Sequence, residues 1–151
     1  LIEIGCEVEE SDDCMRVVAS KRLKHTHVKT LPYPGFPTDS QAIIMSMLAV
    51  ANGTSVITEK IFENRFRHVP ELIKMGADIR VENGCVAVVE GVECLNGARV
   101  CATDLRGGCA LAVAAIGAKG ETVISDIHHI DRGCEKIENT LSALGADVKR
   151  I

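Results

Sequence analysis

Leu72-Ile73-Lys74-Met75-Gly76-Ala77-Asp78-Ile79 decides how this chain is read, because its pattern occurs three times. Leu1-Ile2-Glu3-Ile4-Gly5-Cys6-Glu7-Val8 precedes it, and Leu141-Ser142-Ala143-Leu144-Gly145-Ala146-Asp147-Val148 follows it. Each copy reads as the last turn of a helix, a glycine just past its end, and the start of a strand. Glycine suits that place because it takes the left-handed conformation without a Cβ penalty. The spacing of about 70 residues exceeds that of the common short solenoid repeats.

Working outward, other landmarks keep nearly the same period. Gly53-Thr54-Ser55-Val56-Ile57 recurs as Gly120-Glu121-Thr122-Val123-Ile124, and Arg65 recurs as Arg132. One unit then reads strand, turn, strand, strand, helix, strand, helix. In the second copy Asn83-Gly84 marks a hairpin between strands at 78–82 and 85–89, since Asn-Gly favours a two-residue turn. The next strand is expected at 98–102. Residues 40–52 and 105–118 are apolar on nearly every face, which predicts helices buried all round. Both fall short of the roughly 20 residues of a membrane span, so burial inside protein is expected and no membrane partner. Residues 134–144 read as an amphipathic helix, with Ile137, Leu141 and Leu144 on one face. Buried helices flanked by sheets and outer helices give an α/β fold.

The bulk numbers fit this. With 151 residues, 46% of them apolar, the chain can form one domain with a sizeable core. A formal charge of −4, 3% aromatic content and no basic block speak against nucleic acid as a partner. Seven cysteines without a Cys-x-x-Cys pair predict free, mostly packed thiols in a reducing compartment, so a cytoplasmic location is expected. Leu1 falls in a helix's last turn and Ile151 in a strand without a hairpin partner. Residues 1–151 are therefore read as an excerpt of a longer chain.

A second repeat points to chemistry. Thr38-Asp39 leads into the first buried helix and Thr103-Asp104 into the second. Thr38-Asp39-Ser40-Gln41 fits a capping box, with Thr38 as the cap and Asp39 in the first turn. Asp39 is either a dipole-friendly residue or a site carboxylate. Tyr33 and Phe36 are either loop packing or a ligand surface. Phe62-Glu63-Asn64-Arg65-Phe66, just past a strand, is either a helix start or a site loop. Asp104-Leu105-Arg106-Gly107-Gly108 opens the second buried helix, where an arginine at a helix N-terminus can receive an anion. The two glycines can equally serve close packing. Arg65, Arg106 and Arg132 at matching ends of repeated units are expected to converge on an anionic ligand. The histidines suggest little. His25 and His27 share a strand face without a third ligand, and His128-His129 diverge on an extended chain, so no metal is expected.

Together these motifs resemble a known family. Pro32-Tyr33-Pro34-Gly35-Phe36-Pro37-Thr38-Asp39, Ile57-Thr58-Glu59, Ile61-Phe62-Glu63-Asn64-Arg65-Phe66, His68-Val69-Pro70-Glu71-Leu72, Ala102-Thr103-Asp104-Leu105-Arg106 and His129-Ile130-Asp131-Arg132-Gly133 run in order over most of the chain. The combination resembles the C-terminal part of the enolpyruvyl transferases that act on UDP-N-acetylglucosamine. The resemblance implies an inside-out α/β barrel of repeated β-β-β-α-β-α units, with about two of the three units of one domain present. It implies transfer of the enolpyruvyl group of phosphoenolpyruvate to the 3′-hydroxyl of UDP-N-acetylglucosamine, with phosphate released, early in peptidoglycan synthesis. It implies no cofactor. Asp39 would contact the hydroxyl and take its proton. Residues around Ile61, Phe62, Glu63 and Arg65 would approach the sugar nucleotide, and Arg106 and Arg132 would bind phosphoenolpyruvate. The family's reactive-cysteine loop and a substrate-binding lysine belong to the N-terminal domain, absent here, so the excerpt alone is expected to be inactive. Gly107-Gly108-Cys109 departs from the family's usual small residues. The alternatives are a shikimate-phosphate enolpyruvyl transferase and a catalytically silent sugar-nucleotide-binding relative.

Overall fold

The computed structural model describes residues 1–151. Two units follow one another in the expected order. The first comprises β1 (Glu7–Glu10), β2 (Met15–Val18), β3 (His27–Lys29), α1 (Thr38–Leu48), β4 (Thr54–Thr58) and α2 (Val69–Lys74). The second comprises β5 (Asp78–Glu82), β6 (Val86–Glu90), β7 (Arg99–Cys101), α3 (Leu105–Gly117), β8 (Val123–Ser125) and α4 (His128–Asp131), followed by α5 (Ile137–Ala143). Gly5, Gly76 and Gly145 all have φ between +92° and +97°, as three copies of one helix-ending turn should. Asn83 and Gly84 both have positive φ, the requirement of a type I′ hairpin.

The sheets join the units. β3 and β4 pair in parallel across α1, and the hairpin β5–β6 of the next unit adds antiparallel to β4, giving the order β3-β4-β6-β5. Ser55 lies opposite Val89 and Ile57 opposite Ala87, and all four are fully buried. Their face packs into a core with Met45 and Leu48 of α1, Leu72 of α2, Met75 just past its end, and Leu111 of α3. α1 and α3 pack on each other, with Ser46 Oγ donating to the Ala110 carbonyl at 2.8 Å. Arg22 fastens the layers at their far end. Its guanidinium donates to the carbonyls of Val50, Ala51, Gly91 and Val92. Gly91 passes so close that an added Cβ would lie 1.7 Å from the Ala51 oxygen, which excludes any side chain there.

Five local expectations change. Thr38 is not a helix cap: Pro37 holds that position, and the Thr38 hydroxyl is drawn instead to the distant Glu59. The last helix is shorter than 134–144 and buries none of its residues, with Leu144 80% exposed. No strand follows Gly145, because residues 146–151 find no neighbouring strand to pair with. His128 and His129 sit in a helix rather than an extended chain, so their rings approach to 4.2 Å instead of diverging. All seven cysteines are free, but only Cys6 is fully buried; Cys14 is exposed and five are half-buried, so they are less packed than expected. No helix is long and apolar enough to cross a membrane.

Candidate functional site

The N-termini of α1 and α3 come together at one end of the helix pair. Their two Thr-Asp motifs are not equivalent there. Asp104 is the N-cap of α3, accepting the Gly107 N–H at 3.0 Å. Asp39 is instead the second residue of α1, the position that Arg106 holds in α3. The shift of two positions leaves one carboxylate occupied by its own helix and frees the other to reach across. Asp39 Oδ2 accepts from Arg106 Nη2 at 2.6 Å, and Asp39 Oδ1 from Arg65 Nη2 at 2.8 Å.

A buried network stands behind this trio. Arg65 Nε donates to Thr38 Oγ1 at 3.1 Å, and that hydroxyl donates on to Glu59 Oε2 at 3.0 Å. The other oxygen of Glu59 receives the Thr30 hydroxyl at 2.7 Å and the backbone N–H groups of Ile61 and Phe62 at 2.8 and 3.0 Å. Glu59 follows β4 directly, so it fixes the loop that carries Arg65. The Arg65 guanidinium also lies 4.9 Å from the centre of the Phe62 ring, within cation–π range. Arg65 is thereby held nearly buried, its side chain 12% exposed, whereas Asp39 is 58% and Arg106 33% exposed. A fixed guanidinium thus sits behind an open carboxylate and a half-open guanidinium.

The electrostatics follow the geometry. The hydrogen bond from Arg106, with help from its charge and from Arg65, holds the Asp39 carboxyl below its ordinary range against the opposing effect of burial, and Asp39 raises Arg106 in return. Burial alone would push Glu59 up, but the donors from Thr30, Ile61, Phe62 and Thr38 outweigh it and hold the group ionised. Asp104 behaves likewise, with burial overcome by the Gly107 N–H and Thr103 hydroxyl. His68, fully buried beside this end of the helices, is pushed down to about 4 by burial, with the charge of Asp104 pulling partly back. Neither of its ring nitrogens closes a hydrogen bond, nor does the fully buried amide of Gln41. The imidazole is therefore neutral at neutral pH.

Asp39, Arg65 and Arg106, read separately from the sequence, meet directly. Arg65 and Arg106 come together on the Asp39 carboxylate, whereas Arg132 makes no side-chain hydrogen bond or ion pair within the chain. Arg132 still belongs to the same end, since its neighbour Gly133 packs against Leu105 at the start of α3. Ile61 and Phe62 are exposed, at 42% and 60%, and Glu63 is exposed beside them. Phe36 packs on the core while Tyr33 stands free in solvent. Gly107 and Gly108 serve packing: an added Cβ would lie 3.0 Å from His68 Cβ at one and 2.5 Å from Ile130 Cγ1 at the other. Glu59, Thr30 and the bridging role of Thr38 were missed from sequence. The available signal was a lone carboxylate at a strand end, two residues before a charged loop. No group of three or more His, Cys, Asp or Glu is arranged to hold a metal ion.

Known proteins share this arrangement of sequence and fold. The chain is 52% identical, over its whole length, to UDP-N-acetylglucosamine 1-carboxyvinyltransferase 2 of Caldanaerobacter subterraneus subsp. tengcongensis, of which it covers 36%. It is 54% identical, again over its whole length, to the UDP-N-acetylglucosamine 1-carboxyvinyltransferase of Zymomonas mobilis subsp. mobilis, covering 35%. The chain thus spans about a third of these relatives. Among solved structures, the enolpyruvyl transferase NikO from Streptomyces tendae superposes with a TM-score of 0.88 at 30% identity, over 98% of this chain and 34% of that one. The sequence model of the EPSP synthase (3-phosphoshikimate 1-carboxyvinyltransferase) family matches residues 1–141, and the chain belongs to that family.

Proposed function

We propose that the protein carrying this chain transfers the enolpyruvyl group of phosphoenolpyruvate to the 3′-hydroxyl of UDP-N-acetylglucosamine, releasing phosphate. The observation that carries the reading is the cluster of Asp39, Arg65 and Arg106 at the paired helix ends. It lies in a chain more than half identical to carboxyvinyltransferases named for UDP-N-acetylglucosamine. The reaction would belong to peptidoglycan synthesis in the cytoplasm. It would use the rest of the protein, including the N-terminal domain, as well as these residues.

The roles follow from charge and exposure. Arg106 and Arg132, the half-open and unpaired guanidiniums, would bind the phosphate and carboxylate of phosphoenolpyruvate and stabilise charge that develops during addition and elimination. Asp39 would contact the acceptor hydroxyl and take its proton. While both arginines hold it, its carboxylate is a weak base. An arriving anion competes for Arg106, and every contact so diverted makes Asp39 more basic. Arg65, locked by Thr38 and Phe62, keeps the carboxylate in place meanwhile. Ile61, Phe62 and Glu63 supply the exposed rim facing the sugar nucleotide.

The test is phosphate release from phosphoenolpyruvate by the full-length protein, with UDP-N-acetylglucosamine and shikimate phosphate offered separately. Release with UDP-N-acetylglucosamine alone is expected. Release with shikimate phosphate alone would keep the family and overturn the acceptor. Nucleotide binding without release from either would favour a silent binding relative.

A further inference from the structure

Two thiols that the proposed reaction does not use face each other beside its arginines. Cys109 lies in α3, three residues after Arg106, and Cys134 lies just past α4, two residues after Arg132. Their sulfurs are 3.7 Å apart and both side chains are half-buried. Each of the other thiols that makes a hydrogen bond, Cys14 and Cys101, meets oxygen groups instead. Glycines bring the two segments together. An added Cβ at Gly108 would lie 2.5 Å from Ile130, and one at Gly133 would lie 2.5 Å from Leu105. The close approach therefore occurs on both sides of the thiol pair, with each glycine's backbone packed against a side chain of the other segment.

We propose that Cys109 and Cys134 are a reversible dithiol–disulfide site, oxidised by hydrogen peroxide, that ties the end of α4 to the start of α3. Burial, joined by the neighbouring Cys134, pushes the Cys109 thiol up to about 12, so it keeps its proton at neutral pH. The thiolate is the sulfur nucleophile, so Cys134 reacts first. It gives up its proton and attacks one peroxide oxygen. The S–O bond forms, the O–O bond breaks, and the departing hydroxide takes a proton to leave as water. Cys109 sulfur then attacks Cys134 sulfur. The S–S bond forms, the S–O bond breaks, and the leaving hydroxide takes the Cys109 proton. Two thiols and one peroxide give one disulfide and two waters. A thiol reductant reverses the bond by exchange.

The full-length protein is treated with hydrogen peroxide, alkylated, and digested with trypsin without reductant. Cleavage after Arg106, Lys119, Arg132 and Lys136 places the two thiols on separate peptides, 107–119 and 133–136. These are expected as one disulfide-linked species that forms with peroxide and is lost with dithiothreitol. In Cys109→Ser, which lacks the resolving thiol, dimedone is expected to label Cys134 several-fold more than in the wild type. Recovery of both peptides alkylated and unlinked after peroxide, or linkage of either to a different cysteine, would overturn the proposal. Equal dimedone labelling of Cys134 in variant and wild type would overturn the order of attack. Both readouts are independent of which acceptor the enzyme uses.

Discussion

Asp39 is held by two guanidiniums while remaining the most open member of the cluster, a combination that suits a group acting on a bound substrate rather than one holding the fold. Asp39→Asn keeps the shape of the side chain and removes its basicity. In the full-length enzyme it should lower kcat by roughly 10²–10⁴, the range of a positioned base, with little change in thermal midpoint. Unchanged turnover would remove Asp39 from the mechanism. His68 offers a test of stability at the same end. Its folded value is about 4 and its ordinary value 6.5. Between those pH values the unfolded chain binds a proton that the folded chain refuses. Stability from the neutral imidazole is therefore complete above about pH 6.5 and is lost as pH falls toward 4, by at most on the order of 3 kcal/mol. The carboxyls held below their ordinary range, Asp39, Glu59 and Asp104, lose stability only at lower pH, so the window is largely that of His68. Urea midpoints from pH 7 to 4 should fall more steeply in wild type than in His68→Gln, and parallel slopes would contradict this. The sequence made Asp39, Arg65 and Arg106 legible through residue type and position. It did not make His68 legible, because a histidine's burial is a property of what packs around it.

The elements show which sequence signals survive folding. The two apolar helices begin and end within a few residues of their expected bounds, although they are not buried all round, α3 leaving Ile116 56% exposed, and the β5–β6 hairpin turns at Asn83-Gly84, because both signals are local. The capping box failed because the Thr38 hydroxyl has a stronger acceptor in Glu59, which lies 21 positions away and reaches it only once β4 is beside α1. Glu59 is thus the element-scale link between strand, loop and helix. Glu59→Ala would orphan the Thr30 hydroxyl and the Ile61 and Phe62 N–H groups, costing about 3 kcal/mol, the upper end for buried donors left without an acceptor. Denaturant unfolding should show that loss, and Glu59→Gln, which keeps one carbonyl oxygen for the three donors, should recover much of it. Equal losses in both variants would mean that charge, not donor pairing, is what Glu59 contributes. Arg132, at the end of α4, has no partner to lose. Arg132→Ala should therefore leave stability nearly unchanged while weakening phosphoenolpyruvate more than UDP-N-acetylglucosamine, as measured by calorimetry. Equal weakening of both ligands would contradict its anion-binding role.

At the scale of the molecule, the repeat explains where the sheets stop. The four-stranded sheet is made by two successive units: one supplies the parallel pair β3–β4 and the next supplies the hairpin β5–β6. The hairpin β1–β2 is one half of such a sheet and the pair β7–β8 is the other half of another, and within residues 1–151 each stands as two strands. β1 and β2 are accordingly exposed, with Met15 60% and Val17 43% open to solvent, although they copy β5 and β6 in chain position, where Ile79, Ala87 and Val89 are buried. This also explains why the strand read after Gly145 is absent, since pairing is nonlocal and a sequence pattern cannot supply the neighbour. The rule that each sheet joins two units predicts unequal stability. In residues 1–151 expressed alone, backbone amides of β1, β2, β7 and β8 should exchange with solvent at least 10-fold faster than those of β4 and β6, because two-stranded pieces are marginal in water. In the full-length protein the same amides should approach the protection of β4 and β6, as the proposed third unit would require by pairing with both halves. Hydrogen exchange by mass spectrometry on the two proteins decides it: if protection of β1–β2 and β7–β8 were the same in both, sheets would not be shared between units in the way β3-β4-β6-β5 shows, and the stability of each half would have to come from its own hairpin or helix.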